Sequence, residues 1–251
     1  MSGLILSIRI LLASESEEDR ELLRQGAARA SVPTELFEAE STGKAGGFLD
    51  RGDIDIVFID AALPGQDQVR VIRAAREADN NPLIVLLVTG AGGIVSAADA
   101  TAPKPRNAIE AGMLLSRSSR ARLPVHALVV DDSSTMRSIV RKILAASRFR
   151  LSVAEADDGA RSVEQVRGGG VDVVFLDYNM PGLNGLATLG ELKRAKPDVD
   201  VIIMTSAQDL AIADRALRAG ASAFLQKPFY PADIDAVLYS RYGLMPCARR
   251  D

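Results

Sequence analysis

The sequence predicts two tandem doubly wound α/β domains, each built on a parallel five-stranded sheet. Three observations lead there: the length, an internal repeat, and short apolar runs that alternate with amphipathic stretches. At 251 residues the chain is long for one domain and comfortable for two of about 125 residues each. Its 47% hydrophobic content can fill packed cores, and 25% charged residues is ordinary for a soluble protein.

The repeat settles the domain organisation. Ile10-Leu11-Leu12-Ala13-Ser14-Glu15 lies 117 residues before Ala127-Leu128-Val129-Val130-Asp131-Asp132. Asp55-Ile56-Val57-Phe58-Ile59-Asp60 falls on Asp172-Val173-Val174-Phe175-Leu176-Asp177 at the same offset, as does Pro64-Gly65 on Pro181-Gly182. Val85-Leu86-Leu87-Val88-Thr89 resembles Val201-Ile202-Ile203-Met204-Thr205, and Lys104-Pro105 resembles Lys227-Pro228. A period this long means duplicated domains rather than a solenoid. The polar, basic stretch before Pro124 reads as a linker. The resulting division is residues 1–117, a linker at 118–124, and residues 125–251.

Within the second domain the expected strands are Ala127–Val130, Leu151–Ala154, Val171–Leu176, Val199–Met204 and Ala223–Leu225. They are short and mostly apolar throughout, as strands covered on both faces are. Ser133 or Ser134 can cap a helix whose Met136, Ile139, Val140, Ile143 and Leu144 form one stripe. Further helices are expected over Gly159–Arg167, Leu186–Lys196, Leu210–Ala219 and Ala232–Arg241. Such a fold does its chemistry at the carboxyl ends of the strands. Asp131, Asp132, Asp177, Thr205 and Lys227 all sit just beyond an apolar strand, so one sheet edge should collect them.

Three carboxylates gathered together repel one another and call for a cation. Hard oxygen ligands suit Mg²⁺, which also binds phosphate oxygens. A metal beside a carboxylate nucleophile suggests phosphoryl transfer. Asp177 is the candidate nucleophile, because it ends the central strand and precedes the turn Tyr178-Asn179-Met180-Pro181-Gly182. Lys227 can hold a phosphoryl oxygen as a point charge, and the Thr205 hydroxyl can donate to another.

These residues carry a resemblance. Val129-Val130-Asp131-Asp132-Ser133, Asp177 through Gly182, Met204-Thr205-Ser206-Ala207 and Lys227-Pro228-Phe229 resemble the CheY-like receiver domain of two-component response regulators, over about residues 125 to 243. The resemblance implies a flavodoxin-like fold and an aspartyl phosphoprotein that is not an enzyme toward other substrates. It implies a phosphohistidine donor on a sensor histidine kinase or histidine phosphotransfer protein. By it Asp132 ligates Mg²⁺ directly, Asp131 assists through water, and the Asn179 main-chain carbonyl adds a third protein oxygen. It makes Phe224 a switch aromatic that turns inward as Thr205 moves toward the phosphoryl group, which reshapes a surface read by a downstream protein. Asn179 and Ala207 flank the attacking water, and Ala207 cannot orient it, so a phosphoryl lifetime that is not especially short is expected.

The first domain is an altered copy. Its acidic pair is replaced by Ser14-Glu15, while Asp60, Thr89 and Lys104 stand in for the nucleophile and phosphate contacts. Thr89 to Lys104 spans 15 residues against 22 from Thr205 to Lys227, so the fourth helix and fifth strand have little room. Thr101 takes the place of Phe224. A degenerate pseudo-receiver is expected, with exposed apolar surface that serves dimerisation or regulation.

The remaining features exclude more than they suggest. A net charge of -3 and the lack of a recognition-helix domain argue against nucleic acid. No apolar run reaches the roughly 20 residues that cross a bilayer, and Met1–Ala13 reads as a buried strand rather than a signal peptide. Cys247, the single cysteine, excludes an internal disulfide, fits a reducing cytoplasm and reads as a bystander in a frayed tail. His126 reads as a core or linker packing residue. Met1 and the polar end are those expected of a complete chain. A phosphorylation-independent scaffold, and a receiver fragment of a longer signalling enzyme, are the competing readings.

Overall fold

The computed structural model describes residues 7–90, 97–180, 185–206 and 210–247. The chain divides into two compact units, residues 1–123 together with 238–251, and residues 124–237. The boundary between the units falls inside the last helix.

The first unit runs β1 (Ile8–Ala13), α1 (Glu17–Ala27), β2 (Thr34–Ala39), α2 (Thr42–Leu49), β3 (Ile56–Asp60), α3 (Gly65–Glu77), β4 (Leu83–Val88), β5 (Ala100–Pro103) and α4 (Ala108–Arg120). Every residue of β3 and β4 is buried, so these are the apolar central strands of a sheet covered on both faces. Side chains cap the helices where the sequence offers an oxygen. Ser16 accepts from the Asp19 amide, Ser41 from Lys44, and Asn107 from Ile109 and Glu110. The parallel order is β5-β4-β3-β1-β2, so the chain reverses direction across the sheet between β1 and β3 and opens a crevice at their carboxyl ends.

The second unit repeats this with β6 (Val125–Val130), α5 (Ser134–Ala145), β7 (Leu151–Ala156), α6 (Gly159–Arg167), β8 (Val173–Asp177), α7 (Gly185–Ala195), β9 (Asp200–Thr205), α8 (Leu210–Arg218), β10 (Ala223–Gln226) and α9 (Pro231–Arg241). Its sheet order is β10-β9-β8-β6-β7. Ser133 is the cap of α5, accepting from the Met136 amide at 3.3 Å. Along α5 the buried stripe narrows to Val140 and Leu144, with Ile139 44% exposed. His126 is exposed on β6 beside the Ser152 hydroxyl, not packed in a core.

Three expectations about the first unit change. The stretch expected as a linker is helical as far as Arg120, because Ser118 and Ser119 are small enough to pack with Leu114 and Leu115 on the buried face of α4. A fifth strand does form, although no helix lies between β4 and β5 among the described residues. The sheet also gains a sixth, antiparallel strand, β11 (Met245–Pro246), which pairs with β5.

Cys247 is therefore held in place rather than in a frayed tail. The Cys247 amide donates to the Asp99 carbonyl at 3.1 Å, and its side chain packs on the core that α2 and α3 cover. Of the expected exposed sheet and helix surface, the sheet is covered among the described residues, with Val85, Leu86 and Leu87 at most 1% exposed and Ala100 and Ala102 fully buried, whereas Ile109 and Met113 of α4 are 68% and 49% exposed.

Candidate phosphoacceptor site

At the carboxyl edge of the second sheet, β6 delivers Asp131 and Asp132, β8 delivers Asp177, β9 delivers Thr205, and β10 leads into Lys227. Asp131 and Asp177 are 2% and 5% exposed, Asp132 is exposed, and their carboxylates lie within 4.8 Å of one another. Lys227 Nζ donates to Asp131 Oδ2 and to Asp177 Oδ1, both at 2.9 Å. The Ser133 amide donates to Asp131 Oδ1 at 2.9 Å, which fixes that carboxylate at the start of α5.

One lysine among three carboxylates leaves an excess of negative charge. Burial, and after it the charge of Asp131, raises the Asp177 carboxyl above its ordinary value despite Lys227 and the Asn179 amide. Burial alone would pull the Lys227 amine down, but its bonds to Asp177 and Asp131 outweigh that and hold it above the usual lysine value. A hard divalent cation would relieve this excess, and carboxylates with an exposed member that leaves room for water suit Mg²⁺. No other such acidic cluster occurs among the described residues.

Phe224 pairs in register with Ile203, one residue before Met204, which faces Asp177. It is half-buried against the unit's core. Thr205 is fully buried, and its carbonyl accepts from the Lys227 amide at 2.7 Å. Asn179 is exposed at the start of the turn after β8. Pro181, Gly182 and Ala207 lie outside the described residues.

One residue that matters here was not anticipated. Arg137 NH1 donates to the Asp131 carbonyl at 2.8 Å while its Nε bonds Glu155 at 3.0 Å, tying α5 and β7 to the acidic pair. The first unit repeats this, with Arg20 donating to the Ser14 carbonyl at 2.6 Å and lying 3.9 Å from Glu38. The signal was in the sequence, since both pairs sit at the 117-residue offset.

The first unit arranges its counterparts differently. Ser14 Oγ donates to Asp60 Oδ2 at 2.8 Å, where the second unit has an acid. Lys104 Nζ reaches Asp60 Oδ2 at 3.0 Å and Asp19 Oδ2 at 2.6 Å. Asp19, from the first turn of α1, was not anticipated. Burial pushes the Asp60 carboxyl up, but the Ala62 amide, the Ser14 hydroxyl and Lys104 outweigh it and hold it below the ordinary carboxylate value. Glu15 is exposed and joins no cluster of potential metal ligands.

The ladder corrects the expected role of Thr89. Asp60 faces Leu87 as Asp177 faces Met204, so Val88 occupies the position of Thr205. The Lys104 amide donates to the Val88 carbonyl at 2.9 Å, as Lys227 does to Thr205. Thr89 is therefore one residue too far along. Thr101 pairs with Leu86 as Phe224 pairs with Ile203, so it does stand where the aromatic would.

Fold and site together define a receiver-type α/β module in the second unit, and the first unit repeats its parallel strand order with different residues at the sheet edge. The chain belongs to the response regulator receiver family: the family model described as "Response regulator receiver domain" matches residues 127–239. Among curated relatives it is similar to chemotaxis protein CheY of Bacillus subtilis (strain 168), 34% identical over 102 residues, 41% of this chain and 84% of that protein. It is similar to response regulator UvrY of Escherichia coli (strain K12), 31% identical over 119 residues that cover 47% of this chain and 55% of that one. The chain thus spans about half the length of the UvrY relatives it matches. A solved structure titled as a probable two-component system response regulator/GGDEF domain protein covers 94% of this chain and 98% of its own. With a TM-score of 0.56 and 19% identity, it supports the fold across both halves. Among the described residues, no helix is long and apolar enough to cross a membrane.

Proposed function

We propose that the second unit is a phosphorylatable receiver that takes a phosphoryl group on Asp177 from a phosphohistidine of a sensor histidine kinase or histidine phosphotransfer protein. The observation that carries this reading is the buried Asp131–Asp177 pair sharing Lys227, with Asp132 beside it. The attacking oxygen belongs to Asp177, which forms the new O–P bond as the donor's N–P bond breaks. The Asn179 amide holds the carboxylate in place. Lys227 then accompanies a phosphoryl oxygen, and the Thr205 hydroxyl donates to another. Asp131, Asp132, Asp177 and the Asn179 carbonyl would hold Mg²⁺, which supplies charge neutralisation on the transferred group. Movement of Thr205 and Phe224 carries the change to the surface that a downstream protein reads. Ala207 offers no hydrogen bond to a hydrolytic water, which fits a phosphoryl lifetime longer than seconds.

The protein acts on no substrate beyond its own aspartate, works in the cytoplasm and binds no nucleic acid in this reading. The first unit is a pseudo-receiver whose lysine is engaged by Asp60 and Asp19, so it regulates or binds a protein without phosphorylation. Its sheet is covered, which removes the ground for a homodimer through that face. Beryllofluoride with Mg²⁺, a mimic of the phosphoryl group, tests the reading: binding to wild type and loss in Asp177→Asn are expected. Absence of binding to wild type would sink it.

A further inference from the structure

In the first unit seven arginines have an acidic partner. Arg9, Arg20, Arg24, Arg70, Arg73, Arg76 and Arg106 all form ion pairs. Arg29, Arg117 and Arg120 form no ion pair among the described residues: Arg29, in the turn after α1, donates to the Gln25 carbonyl at 3.0 Å, and Arg120 reaches the Ser31 hydroxyl at 3.4 Å. These three exposed guanidiniums line one groove of about 270 Å³ between the end of α1 and the second half of α4. Met113, 49% exposed, forms its apolar wall, and Ile109, 68% exposed, lies one turn before it on α4.

The groove is built rather than incidental. Gly26 and Gly112 let α1 and α4 approach so closely that a Cβ on Gly26 would sit 2.5 Å from Ala111 Cβ. The Ser31 amide donates to Ser116 Oγ at 2.9 Å, which pins the segment after α1 to α4. Gly243, at φ +65, leaves room for Arg117, whose Nη1 would lie 2.9 Å from a Cβ there. The groove lies near Ser31, which precedes β2, at the opposite end of α1 from the Asp60 cluster. It is therefore separate from the altered phosphoacceptor site.

We infer that this groove docks an acidic segment of another protein, one that places carboxylates on Arg29, Arg117 and Arg120 and an apolar side chain against Met113. A second copy of the chain does not suit it, because equivalent faces would bring arginine onto arginine. A nucleic acid offers the charge but nothing for Met113 and Ile109, and it would meet a chain of net charge -3. The inference does not depend on whether Asp177 is phosphorylated.

The test uses the full chain and a short fluorescein-labelled peptide of Glu-Glu-Leu repeats, followed by fluorescence anisotropy at low salt. Binding is expected, with Kd raised about tenfold in the Arg29→Gln/Arg117→Gln/Arg120→Gln protein and several-fold in Met113→Ser. The Gln-Gln-Leu analogue should not bind. Circular dichroism and an unchanged thermal unfolding profile confirm that each variant is folded. No binding to wild type, or binding unchanged in the triple variant, overturns the inference. So does competition by pyrophosphate or a single-stranded oligonucleotide that is stronger than competition by the unlabelled peptide.

Discussion

Replacing Lys104 by methionine isolates what holds the altered site together. The substitution keeps the length of the side chain and removes the cation that serves Asp60, which is 3% exposed, and Asp19. Removing one partner of a buried, hydrogen-bonded ion pair costs about 3–5 kcal/mol. Lys104 keeps 17% of its side chain exposed, and Asp60 retains the Ser14 hydroxyl and the Ala62 amide, so a loss near 2–3 kcal/mol is expected. For a unit of this size that lowers the midpoint of thermal unfolding by about 10 °C. Because the folded Asp60 carboxyl lies below its ordinary value, its contribution is fully present above about pH 4 and is lost as pH falls through the folded value. The gap between wild type and Lys104→Met should therefore be complete at neutral pH and close in acid. Differential scanning calorimetry across pH measures this, and adding Asp60→Asn to Lys104→Met should recover part of the stability. A gap that persists unchanged well below pH 4, or a double variant no better than the single one, would refute the electrostatic account.

Phosphotransfer from a cognate kinase should label wild type and Asp60→Asn equally and leave Asp177→Asn unlabelled, as read by radiolabelled phosphate. Lys227→Met should be destabilised in the absence of divalent cation and regain stability with Mg²⁺, whereas Mg²⁺ should do nothing for Lys104→Met; urea denaturation with and without Mg²⁺ separates the two. Gly26→Ala forces α1 from α4 and should cost about 1–3 kcal/mol, whereas Gly46→Ala, with nothing within 4 Å, should stabilise α2 by about 0.5–1 kcal/mol. The Cys247 thiol is pushed up to about 11 by burial and, less, by Asp99, so iodoacetamide should label it slowly at pH 8 in native protein and rapidly in urea; equal rates would mean that Cys247 does not pack as described.

The second unit was legible because its chemistry is local to strand ends. Asp131, Asp177 and Lys227 each follow a short apolar run, and the parallel fold brings such ends together without any further information. The first unit was less legible for an equally physical reason. Val85–Val88 is uniformly apolar, so sliding it by one residue against β9 costs nothing in pattern, and only the hydrogen-bonded ladder shows Val88, not Thr89, beside the site. Asp19 reads as one of three acids favoured by the first turn of α1. Its contact with Lys104 spans 85 residues and has no local signature. The β11 pairing is two residues long and joins positions 144 apart, as the Thr101 hydroxyl bond to Met245 shows.

Both units keep the architecture of the edge, down to the Arg20 and Arg137 bonds to the carbonyls of Ser14 and Asp131. What differs is the charge count. In the second unit Asp131 and Asp177 divide one lysine with Asp132 beside them, and the Asp177 carboxyl is raised. In the first, a single exchange of acid for hydroxyl at Ser14 turns a repelling neighbour into a donor, and the Asp60 carboxyl is lowered. A carboxylate already provided with a hydroxyl, an amide and a lysine would gain little from a metal ion, whereas the charge excess around Asp177 is one that a divalent cation would relieve. The same unit has valine where a switching hydroxyl would be and threonine where an aromatic would be. The residues at the acidic pair and at the Thr205 and Phe224 positions thus differ together between the two units.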